Sequence, residues 1–277
     1  MRASFYQGSR TFTTGSAPRP VPQAGEALVR VERVGICGTD LHIYQGHLDH
    51  RLPRGGVIGH ETFGEVVEAP AGGGVAAGDR VVVEPLAVAT HDVRRAQVQA
   101  GDRVLVFGGG PIGALIALVA RQRGAEVAVA EVNPFRVALL ESFGLTTVGP
   151  DIDVSRFTAD WTGGEGVDVA FEVTGNPAAA RAVTDVVRVW GTVSIVAIHA
   201  EPIPVNLYAL FARELNVHGA RLYAREDWEE AIRLAASGAI PLAPLVSRKI
   251  RLEELQQGME QALAGGPVMK VLVDLTA

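Results

Sequence analysis

"VLVFGGGPIGALIALVA", residues 104 to 120, decides how the rest of the chain is read. A short apolar run, a glycine turn and a longer apolar run predict strand, tight turn and helix. The stretch is uncharged between Arg103 and Arg121, but its glycines and Pro111 interrupt it, so it reads as two buried elements and not as a membrane span. The turn carries Gly108-x-Gly110-x-x-Gly113, with Pro111 and Ile112 inside it. In this spacing the first glycine permits the tight turn, the second lets backbone approach a pyrophosphate, and the third lets helix lie close to strand, with the phosphates at the positive helix end. The next apolar run, "EVAVAE", ends in Glu131, whose carboxylate could accept hydrogen bonds from both ribose hydroxyls of NAD and would repel a 2′-phosphate. Arg136 keeps NADP open, because a guanidinium near that ribose could accommodate the phosphate. The bland alternative is a glycine turn of a doubly wound protein that binds no nucleotide.

Outward from this turn, the chain after residue 100 alternates strand-like and helix-like runs: "RVLVFG", "EVAVAE", "NPFRVALLESFG", "GVDVAFEVTG", "NPAAARAVTDVVRVW", "GTVSIVAI". That alternation predicts right-handed crossovers and a doubly wound parallel sheet, an α/β Rossmann domain over residues 87–222. Residues 1–86 hold short β-like runs between turns and predict a small, mainly β domain. Residues 223–277 are expected to complete the Rossmann sheet and return to the first domain, with Leu252, Leu255 and Met259 as core positions of a helix.

The chain has 277 residues, a net charge of −6 and 48% hydrophobic content, enough to build a core in each of two domains. Its acids and bases are interspersed, which makes nucleic acid a poor partner, and no membrane segment is expected. One cysteine, Cys37, rules out an internal disulfide framework, and the opening residues have no secretory pattern, so the expected location is cytoplasmic.

Two further stretches carry chemistry. "GICGTDLHIYQG" (35–46) supplies Cys37, Thr39, Asp40 and His42, and "VIGHETFGEV" (57–66) supplies His60 and Glu61. Thiolate, imidazole and carboxylate suit tetrahedral zinc with a position left open. Taken alone, a single cysteine is more often a buried apolar filler.

Together with "GDRVVVEP", "EPLAVATHDVRRA", "GGGPIG", "FEVTGNPAAA" and "GGPVMKVLVDL", these motifs resemble the zinc-dependent medium-chain alcohol dehydrogenases, nearest the polyol, butanediol and threonine dehydrogenase branch. The resemblance follows the family's order along nearly the whole chain. It implies a GroES-like β domain carrying zinc, a Rossmann domain carrying NAD, and an oxidoreductase that moves hydride between a zinc-held secondary alcohol or polyol and the coenzyme. It implies Cys37 and His60 as zinc ligands, and Glu61 as the adjacent acid that ligates or exchanges with water. Thr39 would bond the substrate hydroxyl, His42 would extend a proton relay, and Asp40 would be structural. Thr90 and Thr174 would lie against the coenzyme, and His91 would be a packed helix residue. The zinc would lower the pKa of a bound hydroxyl near neutral pH. Relatives imply a dimer or tetramer joined through the Rossmann sheet, with "NVHGARLY" near Asn216 as the candidate edge.

The chain departs from the family at one place. In "GDRVVVEPLAVATHDVRR", residues 78 to 95, a strand motif runs straight into a helix motif that the family places much later. The four-cysteine lobe for a structural zinc and several barrel strands have no counterpart, so the GroES-like domain is expected to be truncated and to expose strand edges. Glu84 then stands for either copy of a repeated acidic motif, as a further metal ligand or as a strand-end residue. The alternative function is an inactive NAD-binding remnant.

Overall fold

The computed structural model describes residues 1–81 and 84–276. Val82 and Val83, the second half of the expected strand "RVVV", lie outside the described residues. In chain order the elements are β1 (Arg2–Gly8), β2 (Thr11–Ser16), β3 (Leu28–Gly35), α1 (Gly38–Tyr44), β4 (Glu61–Glu68), β5 (Arg80–Val81) and α2 (Glu84–Arg95). There follow β6 (Arg103–Phe107), α3 (Pro111–Gln122), β7 (Glu126–Ala130), α4 (Pro134–Ser142), β8 (Thr146–Val148), α5 (Val154–Thr162), β9 (Val167–Glu172), α6 (Pro177–Ala182) and β10 (Val187–Ile195). The chain ends with α7 (Leu207–Arg213), β11 (Asn216–Gly219), α8 (Arg225–Ala236), β12 (Val246–Arg251), α9 (Leu255–Ala264) and β13 (Lys270–Asp274). Among the described residues no helix is long and apolar enough to cross a membrane.

The chain divides into two compact units, Pro85–Leu242 and Met1–Glu84 with Ala243–Ala277. The first holds a six-stranded sheet in the order β11-β10-β9-β6-β7-β8, parallel at every pairing. Its central strands are apolar on both faces, and Leu105, Ala128, Ala170 and Val193 are fully buried, because helices cover a parallel sheet on both sides. Helix α3 is buried from Gly113 to Ala120, which is why its sequence is apolar all round. Side-chain oxygens start α4 and α5: Asn133 accepts from the Phe135 and Arg136 N–H groups, and Asp153 accepts from the Arg156 N–H.

The second unit contains the β1–β2 hairpin and an open sheet in the order β12-β13-β3-β4-β5. Among the described residues its edges are β5 and β12; β12 carries exposed Arg248, Lys249 and Arg251, and a charged edge resists strand addition. The core gathers Tyr6, Ile36, Tyr44, Ile250, Leu255, Met259 and Val271, with Leu252 partly buried against it. Residues after 222 contribute α8 to the first unit but no strand to its sheet. Instead β12 and β13 pair in the open sheet, β13 running antiparallel to β3. The parallel step from β12 to β13 is made through α9, whose apolar face fills this core.

Candidate active site

Register assembles the first cluster. The antiparallel ladder of β3 and β4 ends at Gly35 opposite Glu61, so the turn through Cys37 and the approach through His60 lie at the same end of the sheet. On the other side of β3, Gly35 faces Leu272, and the Ile36 N–H donates to Val271, which brings Lys270 to that end as well. Cys37 then begins α1, its backbone N–H donating to Asp40 Oδ2 at 3.0 Å.

Asp40 is buried, and its Oδ1 has no hydrogen-bond partner among the described residues, although His60 Nδ1 stands 3.5 Å away. His60 is held by Asp40 first and by Cys37 second, and these two acidic partners raise its pKa to about 11 in spite of burial. A carboxylate behind one ring nitrogen and a thiol beside the ring is the arrangement that orients an imidazole toward a metal. Zinc fits this pair by donor chemistry, sulfur and nitrogen with an acid behind. Among the described residues no three ligand-type side chains converge tightly enough to enclose an ion.

The acids expected to complete the set stand differently. Glu61 is buried and gives both carboxylate oxygens to Lys270, at 2.8 Å each. Lys270 Nζ spends its remaining donor on the Ile36 carbonyl at 3.0 Å, so all three of its protons are used. Glu61 therefore serves here as the partner of a buried ammonium and not as a free ligand. The carboxylate lies over Gly35, where a side chain would meet Glu61 Oε2 at 2.0 Å. Burial alone would lower the Lys270 pKa, but the charges of Glu61, Cys37 and Asp40 raise it. Glu84, the first residue of α2, is buried; burial and then the charge of Glu61 push its carboxyl above the ordinary range, against the pull of His60 and Lys270. Its carboxyl feels the charge of His60, which relates it electrostatically to the Cys37–His60 pair.

Thr39 lies two residues into α1 with its hydroxyl 3.9 Å from Cys37 Sγ. His42, half-buried on the same helix, has its Nδ1 3.1 Å from Nδ1 of His47. Lys270 and His47 escaped the sequence reading. A signal existed for Lys270: one charge inside "VMKVLVDL" has to find a partner when that strand is buried.

The second cluster lies at the carboxyl ends of β6, β7 and β9, where open parallel sheets bind ligands. Gly108 has φ +101°, and a side chain there would meet Thr174 Cγ2 at 2.8 Å. A side chain on Gly113 would stand 1.8 Å from the Gly108 carbonyl, so helix α3 can start only with glycine at this point. Gly110 precedes Pro111 as N-cap, with no side-chain hydrogen bond over the helix end. A pyrophosphate fits this bare turn, since nothing larger than hydrogen projects from it. Glu131 Oε2 accepts from Gly109 N at 2.9 Å, and Oε1 accepts from Val132 and Asn133 N–H at 2.7 and 2.8 Å. Arg136 Nη1 lies 3.8 Å from Glu131. Thr174 donates its hydroxyl and its N–H to Glu172, which is buried and also bonded by His199 Nε2 at 2.9 Å.

Thr90 is buried on α2 and donates its hydroxyl to the Leu86 carbonyl at 2.8 Å. Its neighbour His91 packs against Asp227 at 2.8 Å, and Asp227 also receives Arg94, a structural network between α2 and α8.

Comparison with known proteins shows the family. The model of the alcohol dehydrogenase GroES-like domain matches residues 23–129, and that of the zinc-binding dehydrogenases matches residues 111–237. The chain is 34% identical to the 2-dehydro-3-deoxy-L-galactonate 5-dehydrogenase of Pseudoalteromonas atlantica, covering 100% of this chain and 99% of that protein. That alignment runs over 339 positions against 277 residues, so it contains positions this chain leaves empty. The crystal structure of the 2R,3R-butanediol dehydrogenase of Bacillus subtilis superposes with a TM-score of 0.86 at 28% identity, covering 99% of each chain. A Sinorhizobium meliloti chain solved with NADP bound superposes with a TM-score of 0.86 at 25% identity, again covering 99% of each. The chain belongs to the zinc-dependent medium-chain alcohol dehydrogenases, a family of oxidoreductases that use a nicotinamide coenzyme.

Proposed function

We propose that this protein oxidises a secondary alcohol or polyol with NAD, using zinc held by Cys37 and His60. The observation that carries the reading is the Cys37–His60 pair with Asp40 fixing the ring. The named relatives act on sugar acids and butanediol, which share a secondary hydroxyl as the oxidised group. Zinc held by the pair would supply Lewis acidity that makes a hydroxyl proton easier to remove. Glu84 is the protein's candidate for a third donor. Thr39 accepts the departing proton at its hydroxyl, and His42, one helical turn on, receives it next.

NAD is the preferred coenzyme in this reading because Glu131 presents a carboxylate at the end of β7, where a 2′-phosphate would be repelled. Thr174 borders the glycine turn and Thr90 is assigned to the nicotinamide. The protein acts in the cytoplasm as a homodimer or tetramer. The interface is the β11 edge, flanked by Trp190, Tyr208 and Phe211, which are 66%, 76% and 79% exposed. Sedimentation of native protein against Phe211→Glu tests that interface; a monomeric native protein removes it.

The reaction is tested by mixing zinc-loaded protein with NAD or NADP and a panel of secondary alcohols and polyols, and following formation of the reduced coenzyme. The reading expects turnover that favours NAD and stops with a chelator. Folded, zinc-loaded protein inert toward the whole panel overturns it.

A further inference from the structure

Helix α1 ends in a turn that sets two imidazoles face to face. Gly46, at φ +86°, donates its N–H to the Ile43 carbonyl at 2.9 Å, and His47 donates its N–H to the His42 carbonyl at 3.0 Å. This is the paired closure in which the residue after the glycine folds back over the residue one turn inside the helix. An apolar contact usually occupies those two positions, whereas here both are histidines. Their Nδ1 atoms are 3.1 Å apart, a hydrogen-bond distance, and their ring centroids are 5.3 Å apart. His42 is half-buried and His47 is exposed, so the pair runs from the protein toward water.

A nitrogen-to-nitrogen contact of this length holds one proton, since two facing N–H groups would repel. Burial first, and the charge of His47 second, lower the pKa of His42. The neighbouring charged groups follow His47 in the chain: Asp49, whose Oδ1 accepts the Tyr6 hydroxyl at 3.1 Å, then His50 and Arg51. Among the described residues no third ligand joins the two rings to enclose a metal, which favours a shared proton.

We propose that His47 completes a two-imidazole wire with His42 that carries the proton released by alcohol oxidation out to solvent. The proposal rests on the dehydrogenase reading above. Oxidation breaks the carbinol C–H and O–H bonds; hydride carries two electrons to the nicotinamide, and one proton remains. That proton adds to Nε2 of His42, the Nδ1 proton of His42 passes to Nδ1 of His47, and the Nε2 proton of His47 leaves to water or buffer. One proton enters and one leaves, and the two rings exchange tautomers. His47 acts through His42 and is a positioning residue of the proton path.

The test compares the native zinc-loaded enzyme with His47→Gln and, as a second exposed-site variant, His47→Asn. In dilute buffer kcat for alcohol oxidation should fall about tenfold in both variants, with KM and coenzyme affinity unchanged, and added imidazole should restore it. Ring NMR should show the His42 titration moving up toward the ordinary histidine range in both. An unchanged kcat, a loss that imidazole does not restore, or an unmoved His42 titration overturns the wire. If the native enzyme oxidises no alcohol while the rings still titrate as a pair, the dehydrogenase reading has failed and takes the wire with it.

Discussion

Replacing Lys270 by methionine removes the one ammonium that neutralises Glu61 and keeps the side chain's length. Glu61 then remains in place over Gly35, buried, with two lone carboxylate oxygens where three N–H donors were satisfied before. Breaking a buried pair in this way costs about 3–5 kcal/mol. Urea unfolding at pH 7 should show Lys270→Met less stable than the native protein by about 3–5 kcal/mol, and the double variant Lys270→Met with Glu61→Gln should recover about half of that loss. Lys270 is raised in the fold, so its contribution is complete below the ordinary lysine range and is lost only as pH climbs through the raised value. A cost at pH 7 under about 1 kcal/mol, or strict additivity in the double variant, would refute the reasoning.

Gly113→Ala should weaken NADH binding by more than about 100-fold, measured by quenching or calorimetry, because its methyl group would sit 1.8 Å from the Gly108 carbonyl and force α3 off the turn. Arg136→Ala should leave NAD binding within about threefold and weaken NADP by about tenfold, since Arg136 is the cation beside Glu131; equal losses for both coenzymes would count against that role. Asp227 is buried, and though burial raises its pKa, Arg94, the Ala224 N–H and His91 together lower it to about 2. Asp227→Asn should cost about 2 kcal/mol at pH 7, and the gap to native protein should close as pH falls from about 4 toward 2, visible in thermal melts across that range.

The dinucleotide half was legible because it is local. One strand, one turn and one helix contain Gly108, Gly110 and Gly113, and the distances to Thr174 and Gly108 show why no side chain is tolerated there. Glu131 was legible as an acid at the end of β7, but its use by the N–H groups of Gly109, Val132 and Asn133 was not, since those bonds belong to the fold of the turn. Cys37 and His60 were legible as residue types, and the β3–β4 ladder supplies the contact between them. What escaped depends on pairing over long separations. Lys270 reaches Glu61 only because β13 lies beside β3, a partnership between opposite ends of the chain that no local pattern records. The same pairing places β12 and β13 in the open sheet, leaving only α8 of the last segment in the Rossmann unit. His47 was missed for a smaller reason: its position follows from one glycine with positive φ, and helical spacing alone puts it beyond the end of α1.

Metal analysis of the purified native chain and of Cys37→Ala, each equilibrated with zinc, dialysed and then titrated with NADH, tests the central claim most directly. The account predicts one zinc per native chain, none retained by the variant, and the same NADH affinity in both. A folded native protein that binds NADH and keeps no zinc, or a variant that keeps as much as the native chain, would contradict it.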